Sequence, residues 1–238
     1  MTAESGTRHA PPVSYVPETR FGVWFQRTDI WQRYVVAEAV AELKSLLPPG
    51  AGPFDRVLDA GCGDGVAFRL LQGEFGAREL IGIDSDEESI ARAAALGAAS
   101  GGGIRVERAD AAALPLRSAS IDLVFCHQLL HHSVDPLAVL RECRRVLVPG
   151  GWLLISESCR AFLEWWPVRL LFRHPHREQH TAAQYCAVVR AAGFSVSDQD
   201  WLTPAPWWSQ RDLGLAARLG RSVGHREPTQ VRIAARLS

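Results

Sequence analysis

Three acidic residues, each at the end of an apolar run, are the side chains of this sequence best placed to do chemistry. Asp59 follows Val57 and Leu58, and glycines spaced G-x-G-x-G come directly after it. Asp84 and Asp110 end the next two runs. Glycine lets a backbone turn tightly beside a ligand, and the start of a helix favours an anion. Asp59 and the helix that follows would therefore complement an amino-acid zwitterion, and Asp84 would suit the hydroxyls of a ribose.

A parallel sheet is the element that would bring these acids together. Apolar or alternating runs predict five strands, and stripes and capping residues predict the helices between them. The strands fall near residues 56–59, 80–84, 104–109, 120–127 and 152–155, and the helices near 66–72, 87–96 and 136–147. Because the carboxyl ends of parallel strands meet at one edge, the three acids are expected to line one crevice.

The spacing of the glycines excludes a nicotinamide dinucleotide site of the usual kind. That fingerprint is G-x-G-x-x-G, with a pyrophosphate on the helix that follows. Gly61, Gly63 and Gly65 stand one residue too close for it.

The motifs in this order resemble the class I S-adenosylmethionine (SAM)-dependent methyltransferases, in the branch that contains the ubiquinone and menaquinone C-methyltransferases. The resemblance covers about residues 54–157. It implies an α/β fold, a Rossmann-like seven-stranded, mostly parallel sheet with helices on both faces and strand seven antiparallel. It also implies SAM as cofactor, with the adenine amine at Asp110. The cofactor-binding residues implied are Asp59, Gly61, Cys62, Gly63, Gly65, Asp84, Ser85, Asp110, Ala111, Cys126 and His127.

The rest of the chain reads as additions to this single domain. Residues 1–20 suggest a flexible tail, and 21–50 a helical lid, helical to about residue 47. Residues 54–158 form the core. A substrate cover at 159–180 is followed by a helix at 181–192, strand six at 195–202, an insertion at 203–228 and strand seven at 229–237. The last two strands would form an antiparallel pair.

Histidines supply the candidate catalytic groups. His127, at the end of the fourth strand, is the candidate general base, since an imidazole can accept a proton near neutral pH. His131 and His132 resemble a histidine pair common in this branch and are also read as helix-start and packing residues. His174, His176 and His180 suggest a solvated loop, because no carboxylate or cysteine completes a metal set with them. We therefore expect no metal.

Tryptophans outside the sheet are read in two ways. Most would pack the added helices. The sharper hypothesis is an aromatic-walled pocket for a flat, apolar substrate, formed by Trp24, Phe25, Trp31, Trp165 and Trp166. A third interpretation, membrane-surface contact, applies to residues 207–221, whose arginines and bulky apolar residues are typical of an interfacial helix.

Composition limits the remaining choices. The 238 residues carry 26 basic and 26 acidic side chains, so bulk nucleic-acid binding is not indicated. Five scattered cysteines without C-x-x-C spacing favour reduced thiols in a cytoplasmic protein, and the start lacks a secretory pattern. The arginine-rich cationic side suggests a bacterial source. A monomer or a homodimer both remain open.

The function that the sequence predicts is methyl transfer from SAM to a small, aromatic or apolar metabolite, with oxygen, nitrogen and carbon acceptors all open. The alternative is a SAM-binding enzyme of this fold that catalyses cyclisation or rearrangement, or a partner subunit without turnover, because a fold does not fix an activity.

Overall fold

Seven strands form one sheet in the computed structural model, which describes residues 16, 18–174, 179–219 and 227–237. Their order is β3-β2-β1-β4-β5-β7-β6. The strands are β1 (Arg56–Ala60), β2 (Glu79–Asp84), β3 (Ile104–Arg108), β4 (Ile121–His127), β5 (Leu147–Ser158), β6 (Trp201–Leu202) and β7 (Gln230–Arg236). The first five pair in parallel, and β7 runs antiparallel to both β5 and β6. This confirms the predicted fold class.

Helices cover both faces of the sheet because its central strands are apolar on both sides. Leu58 and Val57 are neighbours on β1, yet each belongs to a different buried cluster. The helices are α1 (Arg20–Gln26), α2 (Asp29–Trp31), α3 (Glu38–Leu46), α4 (Phe68–Phe75), α5 (Glu87–Ala99), α6 (Pro136–Val146), α7 (Arg160–Leu163), α8 (Trp166–Leu171), α9 (Ala182–Ala191) and α10 (Leu215–Arg218). Helices α3 and α4 contribute to one cluster, and α6 and α9 to the other.

Capping side chains fix several helix starts. The Asp135 carboxylate accepts the Ala138 N–H at the start of α6, where Pro136 occupies the first turn. Thr181 forms a full capping box with Gln184 at the start of α9. These are start signals that sequence patterns reveal, and both helices lie within a residue of their predicted bounds.

The N-terminal segment is broken where one helix was predicted. Thr28 accepts the Trp31 N–H and so starts a new helix after α1 ends. Residues 32–37 then form a π-helical turn that leads into α3. The apolar stripe predicted the helical content, but it did not reveal the cap at Thr28. Residues 16 and 18–20, assigned by sequence to the tail, contact the body, for instance through the Val16 N–H and the His132 carbonyl at 3.2 Å.

Three other predictions need correction. Helix α4 begins at Phe68 rather than at residue 66, because the glycine turn occupies the residues before it. Strand six is reduced to Trp201–Leu202, with an isolated bridge at Ser195. Within the insertion, residues 215–218 form one helical turn rather than a long interfacial helix, and residues 220–226 lie outside the described residues. No helix in the described part of the chain is both long and apolar enough to cross a membrane.

Gly82 on β2 tests how tightly the sheet packs under the glycine turn. A Cβ at this position would lie 2.6 Å from Cζ of Phe68 and 3.0 Å from Sγ of Cys62. We expect Gly82→Ala to lower the free energy of unfolding by about 1–3 kcal/mol through overpacking. Urea denaturation measures the change.

The control is Gly73→Ala in α4, where no described heavy atom outside the neighbouring residues and backbone of its own helix lies within 4 Å of the added Cβ. That variant should gain about 0.5–1 kcal/mol, because glycine is unfavourable inside a helix. Changes of the same sign in both variants would contradict the packing described for Gly82.

Candidate functional site

A cleft of about 410 Å³ lies at the carboxyl ends of the parallel strands. The strand order reverses between β1 and β4, which is where open sheets of this kind bind ligands. Most of the predicted cofactor residues line it: Gly61, Cys62, Gly63, Asp84, Ser85, Asp110, Ala111 and His127. Asp59, Gly65 and Cys126 are buried and do not line it. The Gly65 N–H closes the turn by donating to the Cys62 carbonyl at 2.9 Å.

The amides of the glycine turn are used inside the protein. The N–H groups of Gly61 and Cys62 both donate to the carbonyl of Ile83, at 2.8 and 3.0 Å. The Gly63 N–H donates to Oδ2 of Asp84 at 2.9 Å. The expected cradle of free amides for a ligand carboxylate is therefore not formed by these three residues. Gly61 serves instead by its small size, since a Cβ there would lie 2.9 Å from Leu129.

Asp84 faces the cleft with acceptor capacity left. Its two oxygens accept the N–H groups of Gly63 and Asp86, each at 2.9 Å. Burial raises its pKa, and these amide hydrogen bonds oppose the rise. A carboxylate offers about four lone-pair positions, so two remain for the hydroxyls of a ligand. Asp110 stands at the end of β3, where its Oδ1 accepts the Ala112 N–H at 2.8 Å.

Asp59 is the most deeply buried acid of the predicted set. Asp59 is only 2% exposed, and its Oδ2 has no hydrogen-bond partner among the described residues. Burial, with Asp84 nearby as a second cause, raises the pKa of Asp59 to about 8. A buried carboxylate without a donor is unfavourable, so this position is suited to a cationic group that would supply both a donor and a positive charge.

His127 is held in one orientation at the end of β4. Its Nδ1 lies 2.9 Å from the Ser156 hydroxyl, and its ring stacks on Phe125 and meets the edge of Trp31. Nε2 is buried and has no partner in the described part of the chain. Burial, followed by the charges of Arg232 and His131, lowers the pKa of His127 to about 3. It is therefore a much weaker base at neutral pH than its residue type suggests.

His131 is tied to a buried glutamate on β5. Its Nδ1 lies 2.6 Å from Oε2 of Glu157, whose other oxygen accepts the N–H groups of Leu129 and Leu130 at 2.8 and 2.7 Å. Burial lowers the pKa of His131 to about 3 and raises that of Glu157 to about 8. Both shifts have the same cause, since burial disfavours charge on either partner, and they leave one hydrogen-bonding proton between the two groups.

His132 and His174 join His131 in a cluster that the sequence did not reveal. The ring centroids lie 4.2 Å apart for His131 and His132, and 5.2 and 5.3 Å from those two rings to His174. Burial lowers the pKa of each added ring, to about 3 for His174 and well below the ordinary value for His132. His174 is thus no solvated loop residue. His180 packs instead near Tyr185, and His176 lies outside the described residues.

An apolar cavity of about 270 Å³ adjoins the cleft and shares Trp31, Gln128 and His132 with it. Of the predicted substrate residues, Phe25, Trp31 and Trp165 line this cavity. Other walls come from Phe21, Phe162, Phe172 and Trp208. Trp24 and Trp166 must be removed from the set. They are 59% and 72% exposed and lie on the outer sides of α1 and α8, because neighbouring helical residues face different directions.

Several lining residues were missed. Arg27 lines the cleft, and its Nε donates to Oδ2 of Asp64 at 2.8 Å, which ties the end of α1 to the glycine turn. Glu18 lines both cavities and accepts the N–H groups of Thr19 and Arg173 at Oε1. Neither residue belongs to a local motif, and only the folding of distant segments together reveals them. Glu157, the acid at the end of the fifth apolar run, could have been recognised from the sequence as a candidate site residue.

Comparisons with known proteins agree with this geometry. Residues 58–155 match the family described as Methyltransferase domain. A "probable S-adenosylmethionine-dependent methyltransferase" of Mycolicibacterium smegmatis is 35% identical over 143 residues, 60% of this chain and 52% of that protein. The "ubiquinone biosynthesis O-methyltransferase" of Paraburkholderia phymatum is 30% identical over 173 residues, 68% of this chain and 73% of that protein.

The fold has solved counterparts as well. An S-adenosylmethionine dependent methyltransferase from Mesorhizobium loti has a TM-score of 0.60 at 24% identity, with 82% of this chain and 96% of that chain covered. The present chain spans about half the length of the first curated relatives that it matches.

The raised pKa of Asp59 predicts how stability responds to pH. Between the ordinary pKa of an aspartate, about 4, and the folded value of about 8, the folded state keeps a proton that the unfolded state releases. The stability that this proton contributes is present below about pH 4 and is lost as the pH rises toward 8. Asp59→Asn is uncharged throughout and avoids the loss. Its melting temperature should therefore rise relative to that of the native chain from pH 5 to pH 8.5, by about 2–4 °C per kcal/mol.

Calorimetry on the ligand-free protein measures this difference. Asp55→Asn, at the exposed opposite end of β1, is the control and should show no such trend. A difference between Asp59→Asn and the native chain that stays constant over this pH range would contradict the pKa assigned to Asp59.

Proposed function

Because this chain belongs to the SAM-dependent methyltransferase family, we propose that it transfers the methyl group of SAM to a small aromatic or apolar acceptor. The observation that carries the proposal is the pair of adjoining cavities. One is bordered by the carboxylates that end successive strands, and the other is walled by aromatic rings. A charged nucleoside suits the first, and a flat apolar molecule suits the second.

The polar cleft fits the parts of SAM through named groups. Asp84 would accept the ribose hydroxyls, and Asp110 the adenine amine. The unpartnered Oδ2 of Asp59 would receive the ammonium group. Since the amides of the glycine turn are already bonded, Arg27 at the mouth of the cleft is our choice for the ligand carboxylate. This arrangement is complementary to a molecule that carries both charges.

The apolar cavity supports an acceptor that is held away from water. Phe25 and Phe172 meet edge to face with centroids 6.0 Å apart, which joins the lid helix α1 to the segment after α8. The Trp208 indole donates to the Tyr34 carbonyl at 2.9 Å and closes the side formed by the insertion. We assign α1 and residues 159–174 to the substrate cover on these contacts.

The chemistry requires alignment more than acid–base power. SAM, when bound, supplies a methyl group activated by its sulfonium, and the protein aligns the acceptor with it, which can contribute about 7–11 kcal/mol. Trp31 and Gln128 stand where the two cavities join and would set that alignment. His127, with its low pKa, would accept a hydrogen bond from the acceptor at Nε2 rather than remove its proton fully.

The test combines binding with product analysis. Calorimetry with S-adenosylhomocysteine measures cofactor affinity, and incubation with methyl-deuterated SAM and a panel of phenols, anilines and quinols is read by mass spectrometry. We expect micromolar binding and a labelled methyl gain. Asp84→Asn should weaken binding about tenfold or more, because a charged hydrogen-bond acceptor is lost. Asp55→Asn should match the native chain.

The other outcomes discriminate between functions. Binding together with an acceptor that changes without mass gain would favour the non-methylating alternative. The proposal as a whole would be refuted if S-adenosylhomocysteine at millimolar concentration gave no heat of binding and no rise in melting temperature.

Adjacent tryptophans test the acceptor cavity. Trp165 lines it, whereas Trp166 faces solvent. With the acceptor returned by the panel, Trp165→Ala should raise KM about tenfold through lost apolar burial and leave S-adenosylhomocysteine affinity unchanged. Trp166→Ala is the matched control, with native KM expected. Steady-state kinetics measures both variants, and an equal effect on KM in the two would contradict the assignment of Trp165.

A further inference from the structure

The histidine cluster lies where the two cavities join. His131, His132 and His174 all line the apolar cavity, and His132 lines the cleft as well. One ligand nitrogen from each ring lies within 4.8 Å of the other two. Three imidazoles that approach this closely, with no charged side chain between them among the described residues, are an arrangement that a transition-metal ion would stabilise.

An unpartnered nitrogen adds a second, independent observation. Nδ1 of His132 is buried and has no hydrogen-bond partner among the described residues. A buried polar atom without a hydrogen-bond partner is unfavourable. An ion at the centre of the cluster would lie among rings that are uncharged and can offer lone pairs.

Two glutamates lie close to the outer sides of the cluster. With a cation bound, Glu157 would be ionised and would accept the Nδ1 proton of His131, which leaves the Nε2 lone pair for the centre of the cluster. Metal-bound histidines commonly have such a carboxylate on the other ring nitrogen. On the opposite side, Oε2 of Glu18 lies 3.9 Å from Nε2 of His132. A bound cation would favour the ionised form of both glutamates, which together would then balance the charge of a divalent ion.

We propose that His131, His132 and His174 bind one divalent transition-metal ion of the zinc type, with an open coordination position toward the apolar cavity. Nitrogen ligands of a tetrahedral ion with 2.0–2.1 Å bonds stand about 3.3 Å apart, so the rings need to close by about 1.5 Å at most. His174, at the end of the cover, can make this adjustment by side-chain rotation. Three protein ligands with a free fourth position form the pattern of catalytic rather than structural zinc sites.

A consequence for the acceptor follows if the proposed methyl transfer holds. An ion here would bind an oxygen of the acceptor and lower the pKa of its hydroxyl, so that the proton is released to solvent before the oxygen takes the methyl group. This would supply the activation that His127 is too weak a base to give. The acceptor class indicated is then a small aromatic molecule with a hydroxyl or carboxylate that reaches the cluster.

The test measures metal binding separately from methyl transfer. The untagged 238-residue chain, freed of metal with a chelator, is titrated with Zn²⁺ by calorimetry and with Co²⁺ by visible absorption. We expect one ion per chain, and a Co²⁺ spectrum of nitrogen and oxygen ligands without thiolate bands. His174→Ala should weaken Zn²⁺ binding about tenfold or more, and His180→Ala, the matched control outside the cluster, should bind as the native chain does.

A second variant addresses the glutamate. In Glu157→Gln the side-chain amide would donate to Nδ1 of His131, so the ring proton moves to Nε2 and removes the ligand lone pair. We expect a loss of about 10–100-fold in Zn²⁺ affinity. Melting temperatures of the metal-free variants identify any that fail to fold. His174 is only partly buried, so His174→Ala is the variant expected to disturb folding least.

Each result decides the metal site alone. Absent binding at millimolar Zn²⁺, unchanged affinity in His174→Ala, or thiolate bands from the buried cysteines would overturn it. The S-adenosylhomocysteine titration is run on the same samples. If the protein binds the metal but not S-adenosylhomocysteine, the methyl-transfer proposal is refuted and the metal site stands. If it binds S-adenosylhomocysteine but not the metal, only the metal site is refuted.

Discussion

The fully buried carboxylate of Glu157 is the group on which the architecture between the two cavities depends. One of its oxygens accepts two consecutive amides of the loop after β4, and the other contacts Nδ1 of His131. The loop leaves the sheet through Gln128 with φ of 53° and then forms a single 3₁₀ turn at Leu130–His132. The glutamate therefore anchors this short turn to β5. Because β5 pairs with β4 on one side and with β7 on the other, the position of the loop is set by an interior strand of the sheet.

The parallel sheet could be predicted because its signals are local. Each strand is predicted by a short apolar run and by the change of residue type at its end, and Asp84 lies at the end of β2 as expected. Aspartate and proline at the start of α6 are likewise readable without neighbours. The acids Asp59 and Asp110 could be placed on one edge by the rule that parallel strands end together. This reasoning did not predict that Asp59 is buried rather than exposed at the surface of the cleft.

The cover could not be predicted because its contacts join segments far apart in the chain. Whether Trp165 or Trp166 faces inward depends on the angle at which α8 meets the body, and no periodic pattern in six residues fixes that angle. The same holds for His174, which meets His131 and His132 only through the course of the intervening chain. The prediction that the glycine turn would offer its amides to a ligand failed for a different reason. Its spacing is local, but the Ile83 carbonyl that takes its amides belongs to the next strand.

Burial acts in opposite directions on the two kinds of ionisable group around the site. It raises the pKa of Asp59 and Glu157 and lowers that of the histidines, so burial disfavours charge of either sign on these groups. A site in this condition responds strongly to a bound cation. Positive charge beside Asp59 restores its ionised form, and the low dielectric that disfavoured the lone carboxylate then strengthens the pair. The depth that hid Asp59 from sequence reasoning is thus what would make the cleft selective for a positively charged ligand over a neutral nucleoside of the same shape.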